Sequence, residues 1–336
     1  MAQDSDSIAI PASTVGGGEE IPPAAALSAA KSARRNVGDF VFKNLTLLFA
    51  LCVLSLVFLM GYEMYVGSKP SLAKFGWHFL VSSTWDPVRE EFGALPLIYG
   101  TLVSSFLGLL ISLPLSLGVA IFLSELAPRW LERPLSFLVE LLAAIPSIVY
   151  GLWGVFVLVP WLRVTVEPWL RTHLGFIPLF AGPGYGFGML AAGFILSVMV
   201  LPIIASISRD VMRSVPNLQR EAALGLGATR WETTKVILTS AKSGILGATL
   251  LGLGRAVGET MAVTLVIGNR SQIAASLFAP AYSMASVLAN EFAEATTDMY
   301  TSALIEIALV LFVITVILNA LARLIVWSVT RRYTTA

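Results

Sequence analysis

The chain of 336 residues contains one cysteine, Cys52, and two histidines, His78 and His173. A single cysteine excludes an intrachain disulfide and any multi-cysteine metal site. The histidines lie far apart in loop-like sequence, which favours surface or interfacial roles over metal ligation. Charge is scarce as well, at 13% of residues against roughly 25% in an ordinary soluble domain. The formal net charge of +1 gives no reason to expect nucleic-acid binding. No Gly-Lys dipeptide occurs, so there is no P-loop to cradle nucleotide phosphates. There is also no Ser/His/Asp cluster, no His-rich motif and no carboxylate pair at metal spacing, which argues against an integral membrane enzyme.

Hydrophobic residues make up 56% of the chain, and mean hydropathy is +0.80. These values describe an all-α integral membrane protein. Six stretches reach the roughly 20 apolar residues needed to span a bilayer. They are Leu45–Val66, Leu97–Leu123, Leu135–Val159, Phe187–Ile207, Ser243–Ile267 and Ser302–Trp327. Pro114, Pro146 and Pro202 fall inside three of them and predict kinks. Residues 1–38, rich in Ala, Ser, Gly and Pro, read as a disordered cytoplasmic tail and not as a cleavable signal peptide. Residues 39–93 would hold the first span and an outer loop, 94–327 the remaining spans, and 328–336 a cytoplasmic C-terminal tail. In the outer loop, Pro70 predicts the start of a short helix, and Phe75, Trp77, Phe79 and Trp85 suit a membrane interface. Glu63, Glu140 and Glu306 lie near span ends, where snorkelling is expected.

Positive charge predicts orientation. Fifteen Lys and Arg residues fall on the side of both termini and the long loop, among them Arg129, Arg133, Arg209, Arg213, Arg220, Arg230 and Lys242. Six (Lys69, Lys74, Arg89, Arg163, Arg171 and Arg270) fall on the other, so both termini are expected in the cytoplasm.

The fifth stretch, Ser243–Ile267, carries Arg255 and Glu259 well inside, and ionisable groups at membrane depth are functional candidates by default. On one helix, Gly244, Ala248, Gly252, Arg255, Gly258, Glu259 and Ala262 share a stripe opposite Leu246, Leu250, Leu253, Val257 and Met261. Gly254 and Gly258 have the spacing that lets another backbone pack closely. The plainer reading is that Arg255 and Glu259 neutralise each other and lock helices together. The Arg-then-Glu order is the weaker one for an intrahelical pair. Between the fourth and fifth spans, Asn217 predicts a helix cap, Gly225 and Gly227 a break, and Thr229–Glu232 a capping box opening a second helix. Taken alone, this element is equally well a docking surface or a well-made connecting loop.

Glu221-Ala222-Ala223, Gly227 three residues beyond and Ile237 after nine more resemble the EAA loop of ABC importer permeases. Thr239-Ser240 depart from the general pattern, which has Leu-Pro there. The segments GTLVSSFLGLLISLPLSLGVAIFLSELAP, LLAAIPSIVYGLWG, MVLPIIASISRDVMRSVP and GLGRAVGETMAVTLVIGN are similar to the phosphate-transport permeases of that class. The resemblance runs from about Ala94 to Trp327. It implies a type I importer fold, with residues 208–242 as the coupling loop and Glu221, Ala222, Ala223 and Gly227 docking on an ATPase. It implies the sister permease PstA, two copies of the ATPase PstB and the periplasmic phosphate-binding protein PstS as partners. ATP and Mg would then be bound by the ATPase, with no cofactor in this chain. The family's translocation-related charges fall on Arg255 and Glu259, within GRAVGETMAV. The alternatives are a permease for a related oxyanion of the sulfate or molybdate class, a passive anion channel, or a membrane enzyme.

Overall fold

A computed structural model describes residues 37–334; the expected N-terminal tail therefore lies outside the described residues up to 36. The described chain is helical except for an antiparallel ribbon, β1 (Trp85–Asp86) with β2 (Glu91–Phe92), which pairs Trp85 with Phe92. Its helices are α1 (Val37–Phe75), α2 (Leu95–Ile121, prolonged by a π turn Phe122–Leu126), α3 (Arg129–Ala144) and α4 (Ser147–Leu174, with π turns at Gly154–Leu158 and Leu162–Val166). Then follow α5 (Met189–Ser214), α6 (Asn217–Gly225), α7 (Arg230–Val257), α8 (Met261–Val266), α9 (Met284–Glu291) and α10 (Asp298–Thr334). Among the described residues, α1, α2, α4, α5, α7 and α10 are long and apolar enough to cross a membrane.

The chain divides into two units, Met1–Leu59 and Met60–Ala336. In the first, side chains 39–59 are all exposed. They form a rod that is apolar on every side, as a lipid environment permits. In the second, α5 is the central helix, burying Ile195, Leu196, Val200 and Ile204. Lipid is as apolar as leucine, so helices associate through close contact rather than through escape from water. The contacts here are close. A Cβ at Gly108 of α2 would lie 2.7 Å from Leu196 Cβ, and one at Gly252 of α7 would lie 2.7 Å from Val200 Cγ1. Both glycines therefore set the distance between backbones.

Four boundaries differ from those expected. Pro70 does not start a new helix, because α1 continues through it to Phe75. The Ser71 N–H donates to Ser302 Oγ at 3.1 Å, and that hydroxyl donates to the Gly67 carbonyl at 3.0 Å. Ser302 thus inserts into the ladder where Ser71 would ordinarily bond Gly67, supporting the turn that contains the proline. Pro146 does not kink a span over Leu135–Val159: it separates α3 from α4. Ile145 before it is extended (φ −66°, ψ 129°), because proline disfavours the α conformation in its predecessor. Ser243–Ile267 is not one helix either. α7 begins earlier, at Arg230, and ends at Val257; residues 258–260 are irregular and α8 follows. Finally, the described residues are already helical at Val37 and are still helical over 328–334, where tails were expected over 1–38 and 328–336.

Candidate translocation and coupling sites

The break after Val257 separates the two charges that the sequence places on one stripe. Arg255 lies in the last turn of α7 and is exposed, whereas Glu259 is buried. Arg255 has no ion pair to Glu259 among the described residues; Glu259 Oε1 instead accepts from the Ala262 N–H at 3.5 Å, at the start of α8. The stripe is divided too. Gly244 and Gly252 turn inward, with a Cβ at Gly244 falling 2.4 Å from Val211 Cγ1. Gly254 and Gly258 do not make the close approach within this chain: Gly254 would meet only Asn319 Oδ1 at 3.9 Å, and Gly258 only carbonyls of its own helix. Arg255 and Gly258 accordingly lie on an open face.

An irregular backbone inside a membrane bundle has to satisfy its own polar groups. Here neighbouring elements supply the partners. The first N–H groups of α5, which no helix of its own can satisfy, point at the segment around α8. Gly188, Met189 and Leu190 donate to the carbonyls of Val266 (3.0 Å), Ala279 (3.2 Å) and Leu277 (2.8 Å). Tyr99 donates to Ala274 O at 2.7 Å, and Thr101 Oγ1 accepts from the Met284 N–H at 2.9 Å. α8 itself packs on α4, where a Cβ at Gly151 would lie 2.6 Å from Leu265 Cδ1. The irregular segment after α8 is thus held from α2 and α5, and α8 itself from α4, while at the break the Gly258 and Glu259 N–H groups bond back to Gly254 O and Ala256 O of α7, both at 3.3 Å.

The second site is the α6–α7 hairpin. Pro216, with its extended backbone, takes the cap position; Asn217 is the first helical residue and does not cap. The Asn217 Oδ1 accepts from Arg220 instead, at 3.2 Å. Glu221 and Ala222 are exposed and Ala223 is half-buried. Gly227 has φ +85°, the left-handed region open to glycine. Around it, the N–H groups of Gly227 and Ala228 donate to Leu224 O (3.0 Å) and Ala223 O (3.1 Å), closing the end of α6. The capping box forms as its spacing predicts, with Glu232 N–H to Thr229 Oγ1 at 3.3 Å and Thr229 N–H to Glu232 Oε2 at 2.8 Å. Leu218 (74% exposed), Leu226 (90%) and Trp231 (58%) surround this hairpin, so it presents an apolar surface. Nothing in the sequence singles out these three, because leucine and tryptophan in a membrane protein raise no flag by type.

Glu306 corrects the snorkelling expectation. It is 2% exposed, and its Oε2 has no hydrogen-bond partner among the described residues. Packing of α10 against the end of α1, where a Cβ at Gly67 would lie 2.9 Å from Ile305, closes that level to solvent. Glu63 is exposed, and Glu140 pairs with Arg209 at 3.1 Å. His78 and His173 are both exposed, with His173 stacked on Trp169.

Six membrane-length helices among the described residues, with the fifth span broken and an apolar hairpin between the fourth and fifth, define a multi-pass membrane protein, and similarity to known proteins makes it a transport permease. Residues 112–331 match the family described as "Binding-protein-dependent transport system inner membrane component". The chain belongs to that family. It is 47% identical over 320 residues to the Phosphate transport system permease protein PstC of Mesorhizobium japonicum, covering 94% of this chain and 98% of that one. It is likewise 47% identical over 293 residues to the Haemophilus influenzae protein of the same name, covering 86% and 93%. Among solved structures, a bacterial ABC transporter "involved in the import of the acidic polysaccharide alginate" has a chain that aligns with a TM-score of 0.52. It is 18% identical and covers 84% of this chain and 98% of its own. That likeness is one of fold, the ABC importer permease fold.

Proposed function

We propose that this chain is a membrane-spanning subunit of an ATP-driven importer that moves inorganic phosphate into the cytoplasm by alternating access. The observation that carries this reading is 47% identity, sustained over 94% of the chain, to a permease named for phosphate transport. In this reading the chain sits in the bacterial inner membrane with both termini and the α6–α7 hairpin in the cytoplasm. It pairs with the sister permease PstA, receives phosphate from PstS, and is driven by two copies of PstB. ATP and Mg are held by PstB, and this chain carries no cofactor. Glu221, Ala222, Ala223 and the Gly227 turn form the docking surface for PstB.

Arg255 attracts the anion. Its planar fork donates paired hydrogen bonds and stays charged when partly desolvated. Its exposure and its lack of an ion pair with Glu259 leave the guanidinium available, which speaks against mutual neutralisation as the pair's only role. Glu259 accepts a proton-bearing oxygen of phosphate, which fully ionised sulfate does not offer at neutral pH. Gly254 and Gly258, open within this chain, allow the sister subunit to approach the same face.

The test is uptake of labelled phosphate by the reconstituted four-component complex, with sulfate and molybdate as competitors and with the ATPase present or omitted. ATP-dependent uptake displaced by unlabelled phosphate alone is the expected result. Displacement by sulfate or molybdate would make this a permease for another oxyanion, and flux without the ATPase would make it a channel.

A further inference from the structure

Within the first helix of the coupling hairpin, one side chain reaches the bundle with all of its donors engaged. Arg220 lies in α6, and a guanidinium has five N–H donors. Nε and Nη2 bond the two carboxylate oxygens of Glu125, at 3.3 and 2.9 Å, in the bidentate geometry peculiar to arginine. Nη1 bonds the Val215 carbonyl (2.8 Å) and Asn217 Oδ1 (3.2 Å), and Nη2 also bonds the Met212 carbonyl (2.9 Å). Five contacts thus meet five donors. They tie α6 to the last turn of α5, through Met212 and Val215, and to the π turn that ends α2, through Glu125. The pair is largely sheltered, with the side chains of Arg220 and Glu125 19% and 10% exposed.

The neighbouring arginines extend the same connection. Arg213 pairs with Glu132 of α3 and donates to Leu123 O at 3.1 Å, and Arg209 pairs with Glu140 of α3 at 3.1 Å. Arg209, Arg213 and Arg220 therefore each bind one carboxylate of the segment running from the end of α2 through α3. That segment leads directly into α4, which packs on α8 beside the break. Arg220 thus links α6 to α2 by an ion pair and to the end of α5 by hydrogen bonds, and Arg209 and Arg213 link α5 in turn to α3. Arg220 is the only one of the three that sits on the hairpin itself.

We propose that Arg220, clasped on Glu125, is the positioning residue that transmits movement of the docked hairpin into the membrane spans. The inference rests on the docking of the hairpin to an ATPase proposed above. The wrong partner chemistry at position 220 would leave the hairpin able to bind the ATPase but slack against the bundle. Lysine keeps the charge but offers three donors without the fork, so it restores part of the connection; glutamine restores less.

The test compares Arg220→Gln and Arg220→Lys in the complete complex in proteoliposomes, reading ATPase retention, ATP hydrolysis and phosphate imported per ATP. Both variants should retain the ATPase and hydrolyse ATP. Phosphate per ATP should fall about tenfold or more in the glutamine variant, within the usual range of coupling between sites, and by less in the lysine variant. An unchanged ratio in both overturns the proposal, as does failure of both to assemble, which would make the clasp a folding element only. Ala223→Glu, run alongside, separates this from the docking reading. If it loses the ATPase while the Arg220 variants couple normally, only the clasp is overturned; if it binds and couples normally, docking and clasp both fall.

Discussion

Gly225 and Gly227 make a matched pair for testing what the coupling turn requires. A Cβ at either position would meet nothing within 4 Å, so a substitution at either adds no clash. They differ in backbone: Gly225 is the last residue of α6, whereas Gly227 has φ +85°. Alanine at Gly227 therefore carries a conformational cost of about 1–2 kcal/mol and no packing cost. At Gly225 alanine should be neutral or mildly favourable, since it is the better helix former. If docking needs the turn as built, the Gly227→Ala penalty appears as roughly a 5- to 30-fold loss of ATPase affinity. Asparagine, which tolerates the left-handed region, should lose less than alanine, and valine should lose more. The assay is titration of the ATPase onto the permease complex in nanodiscs, with uptake measured on the same preparations. Equal losses for Gly225→Ala and Gly227→Ala would refute the reasoning, because they would implicate surface bulk and not backbone geometry.

Arg255→Gln should abolish uptake while the complex assembles normally, because the side chain is exposed and makes no hydrogen bond or ion pair among the described residues; Glu259→Gln added to it should not restore transport. Restored uptake in the double variant would make the two charges a structural pair after all. For topology, Val88→Cys (Val88 is 93% exposed) should react with an impermeant maleimide in intact cells lacking Cys52, and Leu218→Cys (Leu218 is 74% exposed) should not; labelling of Leu218→Cys would invert the orientation. Gly100→Ala should destabilise the purified chain by about 1–3 kcal/mol, seen as a lower melting midpoint. A Cβ at Gly100 would lie 2.1 Å from the Tyr282 carbonyl oxygen, more than 1 Å short of an ordinary contact of about 3.5 Å. Gly118→Ala, with open space around it, is the control, and equal midpoints for the two would remove the claim.

What the sequence by itself determined is what depends on neighbours along the chain. Hydrophobic run length marked where six spans lie, because a bilayer of fixed thickness asks only for enough apolar residues in a row. The Thr229–Glu232 box and the turn at Gly227 were legible for the same reason: both are closed by bonds within a few residues. Arg255 and Glu259 stood out by type, as charges in an apolar stretch.

The tertiary structure decided everything that distant residues settle. Helix continues through Pro70 because Ser302, 231 positions from Ser71, bonds into its ladder. The fifth span breaks at Gly258 where hydropathy reads straight on, and the carbonyls of Val266, Leu277 and Ala279, at the end of α8 and in the irregular segment beyond it, go to N–H groups at the start of α5. Glu306 is buried because α10 packs against the end of α1, a fact its place near a span end does not contain. Arg220 counted in the sequence only as one more positive charge in a loop. Its five partners include a carboxylate 95 residues away, and only folding brings that carboxylate within reach of the fork.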